Sequence, residues 1–292
     1  MIEIIPVTGC LGSECFLLLS ESGAFLVDTG CGFCAEDMAQ NLARALGGRS
    51  LDCILLTHSH FDHVGGLPVV RRAWPGAKVV SGRHVKDILA RDGAKRTMRL
   101  WDDAAAAKCG KAPVREGHYT EDFTPDMTAA EGDVLRICGA SILVTETPGH
   151  TKCSVSYYFQ EEDLLVLSET TGVKLIGGGE VIPAFIVGYR DALKAIARAE
   201  EIAPQRILIP HFGPMRGDAA TAYLREARTA AESTADFILE GHKKGRSFEE
   251  LLDDCVEKFY IDAERQFQPK EAFLSNMSAM IPRLIAEMDG GR

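Results

Sequence analysis

Short apolar runs separated by turn residues fill the first third of the chain. Residues 2–7, 15–20 and 24–27 carry strand-type content, and Cys53-Ile54-Leu55-Leu56 is a continuous apolar run of the kind that forms a buried strand. Residues 35–46 switch to helical spacing, residues 67–73 predict a short helix and residues 78–81 a further strand. Strands alternating with helices predict an α/β core.

From residue 92 to 132 the pattern loosens. A helix is predicted over 97–109, stopped by Gly110, and a polar stretch with His118, Tyr119 and Pro125 follows. The length of this insert and an exposed-looking Trp101 suit a lid or binding loop, and suit a surface excursion without function equally well. Strands resume at 134–138, 141–145, 154–159 and 164–167, and a helix over 191–202 leads to a strand at 206–209.

Beyond about Gly217 the pattern is wholly helical. Tyr223, Leu224, Ala227, Ala231, Phe237 and Ile238 form one stripe, Ser247-Phe248-Glu249-Glu250 is a capping-box start, and Pro269 opens a third helix. Met277, Met280, Ile281, Leu284, Ile285 and Met288 make an apolar face, with a kink expected at Pro282. That face is expected to pack on the core, with a homodimer seam or a pocket wall as alternatives.

Composition narrows the function classes. A chain of 292 residues with 46% hydrophobic content can bury a large core, and the net charge of −10 argues against nucleic acid as a partner. No apolar stretch approaches the ~20 residues that cross a bilayer, and the first residues lack a basic leader. Nine scattered cysteines suit reduced thiols, so a cytoplasmic protein acting on a small-molecule substrate is expected.

The chemistry concentrates in Thr57-His58-Ser59-His60-Phe61-Asp62-His63, three imidazoles and a carboxylate directly after an apolar strand and before Gly65-Gly66. Imidazole and carboxylate are the ligands of zinc, iron and manganese. With His150, Glu169 and His211 the candidates are His58, His60, Asp62, His63, His150, Glu169 and His211, each at or beside a predicted strand end. Seven ligands suffice for two metal ions sharing a bridging carboxylate.

On Leu26-Val27-Asp28-Thr29-Gly30, the His-x-His-x-Asp-His run at 58–63, Thr147-Pro148-Gly149-His150-Thr151 and Ile209-Pro210-His211, the chain resembles the metallo-β-lactamase-fold metallohydrolases over about residues 1–215. The resemblance implies an α/β, four-layer αββα sandwich, with residues 1–216 as the catalytic domain and residues 217–292 as a helical extension capping the active site. It implies that His58, His60 and His150 hold one metal, and Asp62, His63 and His211 the other. Asp28 would orient a ligand or water. Where the family carries a bridging Asp, this chain has Ser168-Glu169, one methylene longer, which puts the second metal in question.

The function expected is therefore a hydrolase with a dinuclear site, holding two divalent ions, zinc first and iron or manganese as alternatives. A metal-bound hydroxide would attack a small ester, thioester, lactone or phosphoester, with Asp62 and Asp28 as catalytic residues. The alternatives are an iron-dependent oxidoreductase on the same fold and a catalytically weak binding or regulatory protein. Cys31 and Cys34, an isolated Cys-x-x-Cys, read as two unpaired thiols, and His84, His118 and His242 as structural or surface residues, although His118 and Tyr119 could reach substrate. Gly177-Gly178-Gly179 lacks the Lys-Ser/Thr of a phosphate-binding loop and reads as a mobile loop beside Glu169.

Overall fold

The continuous apolar runs of the first third become the middle of a sheet. In the computed structural model, which describes residues 1–174, 179–260 and 270–290, β1 (Glu3–Pro6), β2 (Phe16–Leu19), β3 (Ala24–Val27), β4 (Cys53–Leu56), β5 (Lys78–Gly82) and β6 (Met127–Ala129) lie side by side in that order. The β1–β2 and β2–β3 pairs are antiparallel and the β3–β4, β4–β5 and β5–β6 pairs are parallel. Every residue of β3 and β4 is buried, as parallel strands covered on both faces require.

This sheet belongs to the first of two units, residues 1–146 with 155–166; the second holds residues 147–154 and 167–292. The first unit also contains four neighbouring antiparallel strands, β7 (Val134–Ile137), β8 (Ala140–Glu146), β9 (Val155–Phe159) and β10 (Leu164–Val166). Phe25 of β3 meets Phe159 of β9 edge to face, centroids 5.3 Å apart, and the Tyr157 hydroxyl of β9 donates to the Leu56 carbonyl at 2.8 Å.

Helix α1 (Ala35–Leu46) joins β3 to β4. Its buried stripe is Ala35, Met38, Ala39, Leu42 and Leu46, and it ends where Gly47, φ 57°, turns its N–H back onto Ala43 and Arg44. One-turn α2 (Phe61–Val64) and α3 (Leu67–Ala73) follow β4, and α4 (Arg83–Leu89) follows β5. The expected helix over 97–109 is α5 (Asp92–Lys108), five residues longer at its start: Asp92 suits a first helical turn, while Gly93 masks the helix in the sequence pattern. Trp101 is half-buried.

In the second unit, α6 (Tyr189–Ile202) precedes an antiparallel hairpin of β11 (Arg206–Ile209) and β12 (Gly213–Arg216). Helices α7 (Asp218–Lys243), α8 (Phe248–Phe259) and α9 (Lys270–Asp289) follow, so the helical C-terminal extension is present. The capping box opens α8: Ser247 Oγ accepts from Glu250 N at 3.2 Å and Glu250 Oε2 accepts from Ser247 N at 2.8 Å. Glu287 of α9 accepts the Tyr189 and Arg190 amides at 2.9 Å each, satisfying the first two donors of α6. Phe273, Met277, Met280, Ile281 and Leu284 of α9 are buried, whereas Met288 is exposed. The helix passes through Pro282, and Pro269 lies outside the described residues. Among the described residues no helix is long and apolar enough to cross a membrane.

Candidate metal centre

Parallel register creates the first half of the site. Val27 pairs with Leu55, so the residues that follow these partners, Asp28 and then Thr57 and His58, emerge together at the strand ends. The Asp28 amide donates to Leu55 O at 3.0 Å. Asp28 Oδ1 accepts the Thr57 amide and Oδ2 the Thr57 hydroxyl, both at 2.8 Å.

Those contacts settle which imidazole nitrogens carry protons. Because the Thr57 hydroxyl hydrogen is spent on Asp28, the 3.1 Å contact between Thr57 Oγ1 and His58 Nδ1 is a donation from the ring. His63 Nδ1 likewise donates to Asp28 Oδ2 at 2.8 Å, since a carboxylate only accepts. In a neutral ring, Nε2 of both His58 and His63 is then the unprotonated nitrogen, the form that ligates metal. Both rings are buried and stand 4.1 Å apart, and the His60 ring lies 4.7 Å from that of His58. Asp62, whose side chain is 20% exposed, places Oδ2 3.7 Å from His63 Nε2.

The chain reaches this arrangement through close backbone contact. Thr29 N and Oγ1 donate to His63 O at 2.7 and 3.0 Å, and Gly66 N donates to Gly30 O at 2.9 Å. A side chain at Gly66 would put its Cβ 2.1 Å from Thr29 O, and one at Gly65 would meet Gly32 N at 2.5 Å. These two glycines are therefore spatial requirements of the motif. The insert supports the same place from behind. His118 Nε2 donates to Gly65 O at 2.6 Å and Asp102 Oδ1 accepts from Gly32 N at 3.1 Å. Both side chains are buried, as is Tyr119, so these insert residues are packed rather than presented to a substrate.

The second unit holds the other candidates. Pro148 and Gly149 turn the chain into His150, and a side chain at Gly149 (φ 140°) would collide with Thr170 Cγ2 at 2.6 Å and Ala192 N at 2.9 Å. His150 N donates to Thr170 Oγ1 at 3.1 Å, and Thr170 Oγ1 donates to Thr147 O at 2.6 Å. His150 Nδ1 donates to Ala184 O at 3.0 Å. Leu167 N donates to Leu208 O at 2.9 Å, setting the segment that ends in Glu169 beside β11, whose turn carries His211.

Glu169 does not face solvent. Its Oε2 lies 3.0 Å from His150 Nε2 and its Oε1 2.9 Å from His211 Nε2, with all three side chains buried. Ala184 O requires the His150 proton on Nδ1, so a neutral His150 points a lone pair at a carboxylate. Two acceptors at 3.0 Å need a proton or a cation between them. Nitrogen and oxygen donors turned toward one point suit zinc, iron or manganese, so the residues fit a metal.

Within each unit the expected ligands meet: ligand atoms of His58 and His60, of Asp62 and His63, of His150 and Glu169, and of Glu169 and His211 lie within 4.8 Å of one another. Asp28 (φ 56°) and His211 (φ 60°) are non-glycine residues in the left-handed region, as are Cys138 and Asp163 in turns elsewhere and Ala203 at the end of α6. Sequence reading missed Thr57, Thr147, Thr170 and Ala184, whose hydroxyl and carbonyl contacts follow from register and turns. Of the glycine run, 177 and 178 lie outside the described residues.

A model of the metallo-beta-lactamase superfamily matches residues 8–242. The chain is similar to the hydroxyacylglutathione hydrolase of Methylobacterium sp. (strain 4-46), with 32% identity over 196 residues that cover 64% of this chain and 62% of that protein. It is similar to the hydroxyacylglutathione hydrolase of Methylobacterium nodulans, with 32% identity over 53% of this chain and 48% of that protein. The chain thus spans about half to three fifths of these curated relatives. Among solved structures, a metallo-beta-lactamase family protein from Thermus thermophilus matches with TM-score 0.66 and 20% identity, covering 99% of this chain and 94% of that one. The expected metallo-β-lactamase-like α/β sandwich is borne out.

Proposed function

Because the chain belongs to the metallo-beta-lactamase superfamily, we propose that it is a metal-dependent hydrolase of small thioesters or related esters. The observation that carries this reading is Glu169, whose carboxylate oxygens face one imidazole each, His150 and His211. Two relatives that match at 32% identity are hydroxyacylglutathione hydrolases, which supports a thioester as the substrate class.

In this proposal His58, His60 and His150 would hold one ion and Asp62, His63 and His211 a second, with Glu169 as a further ligand. Zinc suits the donor set. When bound, such ions lower the pKa of a coordinated water from 15.7 to about 7 and polarise the scissile carbonyl. The protein's own contribution is orientation. Asp28 and Thr57 fix the tautomers of His58 and His63, and the Ala184 carbonyl fixes that of His150. Asp62 is the more exposed carboxylate of its set, and its Oδ atoms are the proposed acceptor for the proton of the attacking water.

The test is metal analysis of protein purified without chelator or affinity nickel, with assays on an acyl-glutathione thioester, a lactone and a phosphodiester. Two zinc or manganese ions per chain and thioester hydrolysis are expected. Iron without hydrolysis would replace the reading with an oxidoreductase, and no metal without turnover would replace it with a binding role.

A further inference from the structure

The first unit gathers thiols at a point that the ligand sets do not use. Cys10 lies in the loop after β1, and Cys34 ends the 3-10 turn Gly32–Cys34 that leads into α1. Their sulfurs are 2.6 Å apart although the residues are 24 positions apart in sequence. The Cys31–Cys34 spacing stands out in the sequence, yet the short sulfur contact of Cys34 is to Cys10. Ser13 organises the cluster: its Oγ accepts the Cys31 amide at 2.6 Å and the Cys34 thiol at 3.7 Å.

The pair joins one activated thiol to one reachable thiol. Cys34 is buried and Cys10 is half-exposed, so one member is reachable and the other is poised beneath it. Hydrogen bonds from Cys10 and then Cys31 bring the Cys34 thiol down to about 4 against the opposing effect of burial, while the hydrogen bond to Cys34 and burial push the Cys10 thiol up, so the pair shares one proton, held on Cys10. A disulfide bond is about 2.04 Å long, so closing it needs only a small approach of two sulfurs already in contact.

We propose that Cys10 and Cys34 are a reversible redox pair that closes to a disulfide when the protein meets a small-molecule disulfide. The Cys34 thiolate takes the Cys10 proton as the Cys10 sulfur attacks the reagent, forming a mixed disulfide and expelling one thiolate. Cys34 sulfur then attacks Cys10 sulfur, the Cys10–Cys34 bond forms, and the second thiolate leaves. The pair starts as one thiol and one thiolate, so its single proton passes to one departing thiolate and the other leaves as the thiolate; two protein sulfurs are oxidised and one small disulfide is reduced to a thiol and a thiolate. The closed ring contains Asp28 and the Thr29-Gly30 backbone that holds His63 and Gly66.

The experiment treats the reduced full-length protein with glutathione disulfide until exposed Cys109 is modified, which proves that reagent has reached the protein. Peptides are then mapped by mass spectrometry after alkylation of the remaining thiols. The expected product is a Cys10–Cys34 crosslinked peptide carrying no glutathione, reversed by dithiothreitol, lost in Cys10→Ser and retained in Cys31→Ser. A Cys31–Cys34 linkage, a stable glutathione adduct on Cys10, or unmodified Cys10 and Cys34 would each overturn the proposal. None of these outcomes depends on the metal assignment.

Discussion

Asp28 Oδ2 accepts from His63 Nδ1 at 2.8 Å, and Asp28 does so from a left-handed backbone, φ 56°. The same carboxylate accepts both Thr57 donors, so one side chain governs the orientation of His63 directly and of His58 through the Thr57 hydroxyl.

Asp28→Asn separates charge from backbone. Asn tolerates the left-handed region, so the chain path is kept, but its amide cannot accept all three hydrogen bonds and turns a donor toward His63 or Thr57. Metal affinity or turnover is expected to fall roughly 10–100-fold, the range for residues that orient metal ligands, with the circular dichroism spectrum unchanged. Chelator competition and a thioester assay measure it. Full affinity in the variant would remove Asp28 from the site.

Glu169→Gln tests whether the carboxylate between His150 and His211 is a metal ligand. The amide keeps the size of Glu169 while replacing one of the two oxygens that face His150 and His211 with a donor. Metal content is expected to drop from two ions to one or none, with turnover falling at least about 10-fold. Glu169→Asp, which keeps the charge and loses a methylene, is expected to recover part of both. Unchanged metal content in the Gln variant would show that Glu169 is not a ligand.

Gly66→Ala addresses the close approach beneath the motif. The new Cβ would fall 2.1 Å from Thr29 O, a backbone atom that also belongs to the turn supporting His63. A loss of about 3 kcal/mol or more is expected in urea unfolding. Gly47→Ala is the control: nothing lies within 4 Å of its Cβ, and only the left-handed φ of 57° resists, worth about 1–2 kcal/mol. Equal losses at the two positions would mean that space is not what Gly66 supplies.

The candidate ligands are legible in the sequence because metal chemistry uses few residue types and they fall at strand ends. Helix α1 and strands β3 and β4 match the apolar pattern residue for residue, since their burial is set by a single period. What escapes has no such period. Strand β6 has three residues with only Ala129 buried, and β12 contains Gly213 and Pro214, which read as turn residues yet sit in a hairpin partner of β11. The Cys10–Cys34 contact and the Thr57 relay are products of tertiary register, invisible to any spacing rule.

Asp102 supplies a pH dependence that the metal chemistry does not. It is buried in α5, its Oδ1 accepts from Gly32 N at 3.1 Å, and its Oδ2 and the Tyr119 hydroxyl are both closed off from solvent. Burial pushes the carboxyl up from 3.8 to about 7. The folded state therefore binds this proton more tightly than the unfolded chain, and stability falls as pH rises through the window from about 4 to about 7. At 1.36 kcal/mol per unit the full loss is about 4 kcal/mol, complete above pH 7 and absent below pH 4. Asp102→Asn keeps an acceptor for Gly32 N and has no charge to bury. Its stability relative to wild type is expected to climb by up to about 4 kcal/mol between pH 4 and pH 7 and then to level off. Urea unfolding of chelator-treated protein across that range isolates the effect, because metal ligation carries its own proton dependence. A difference between the two proteins that stays constant with pH would show that Asp102 is already ionised in the folded chain.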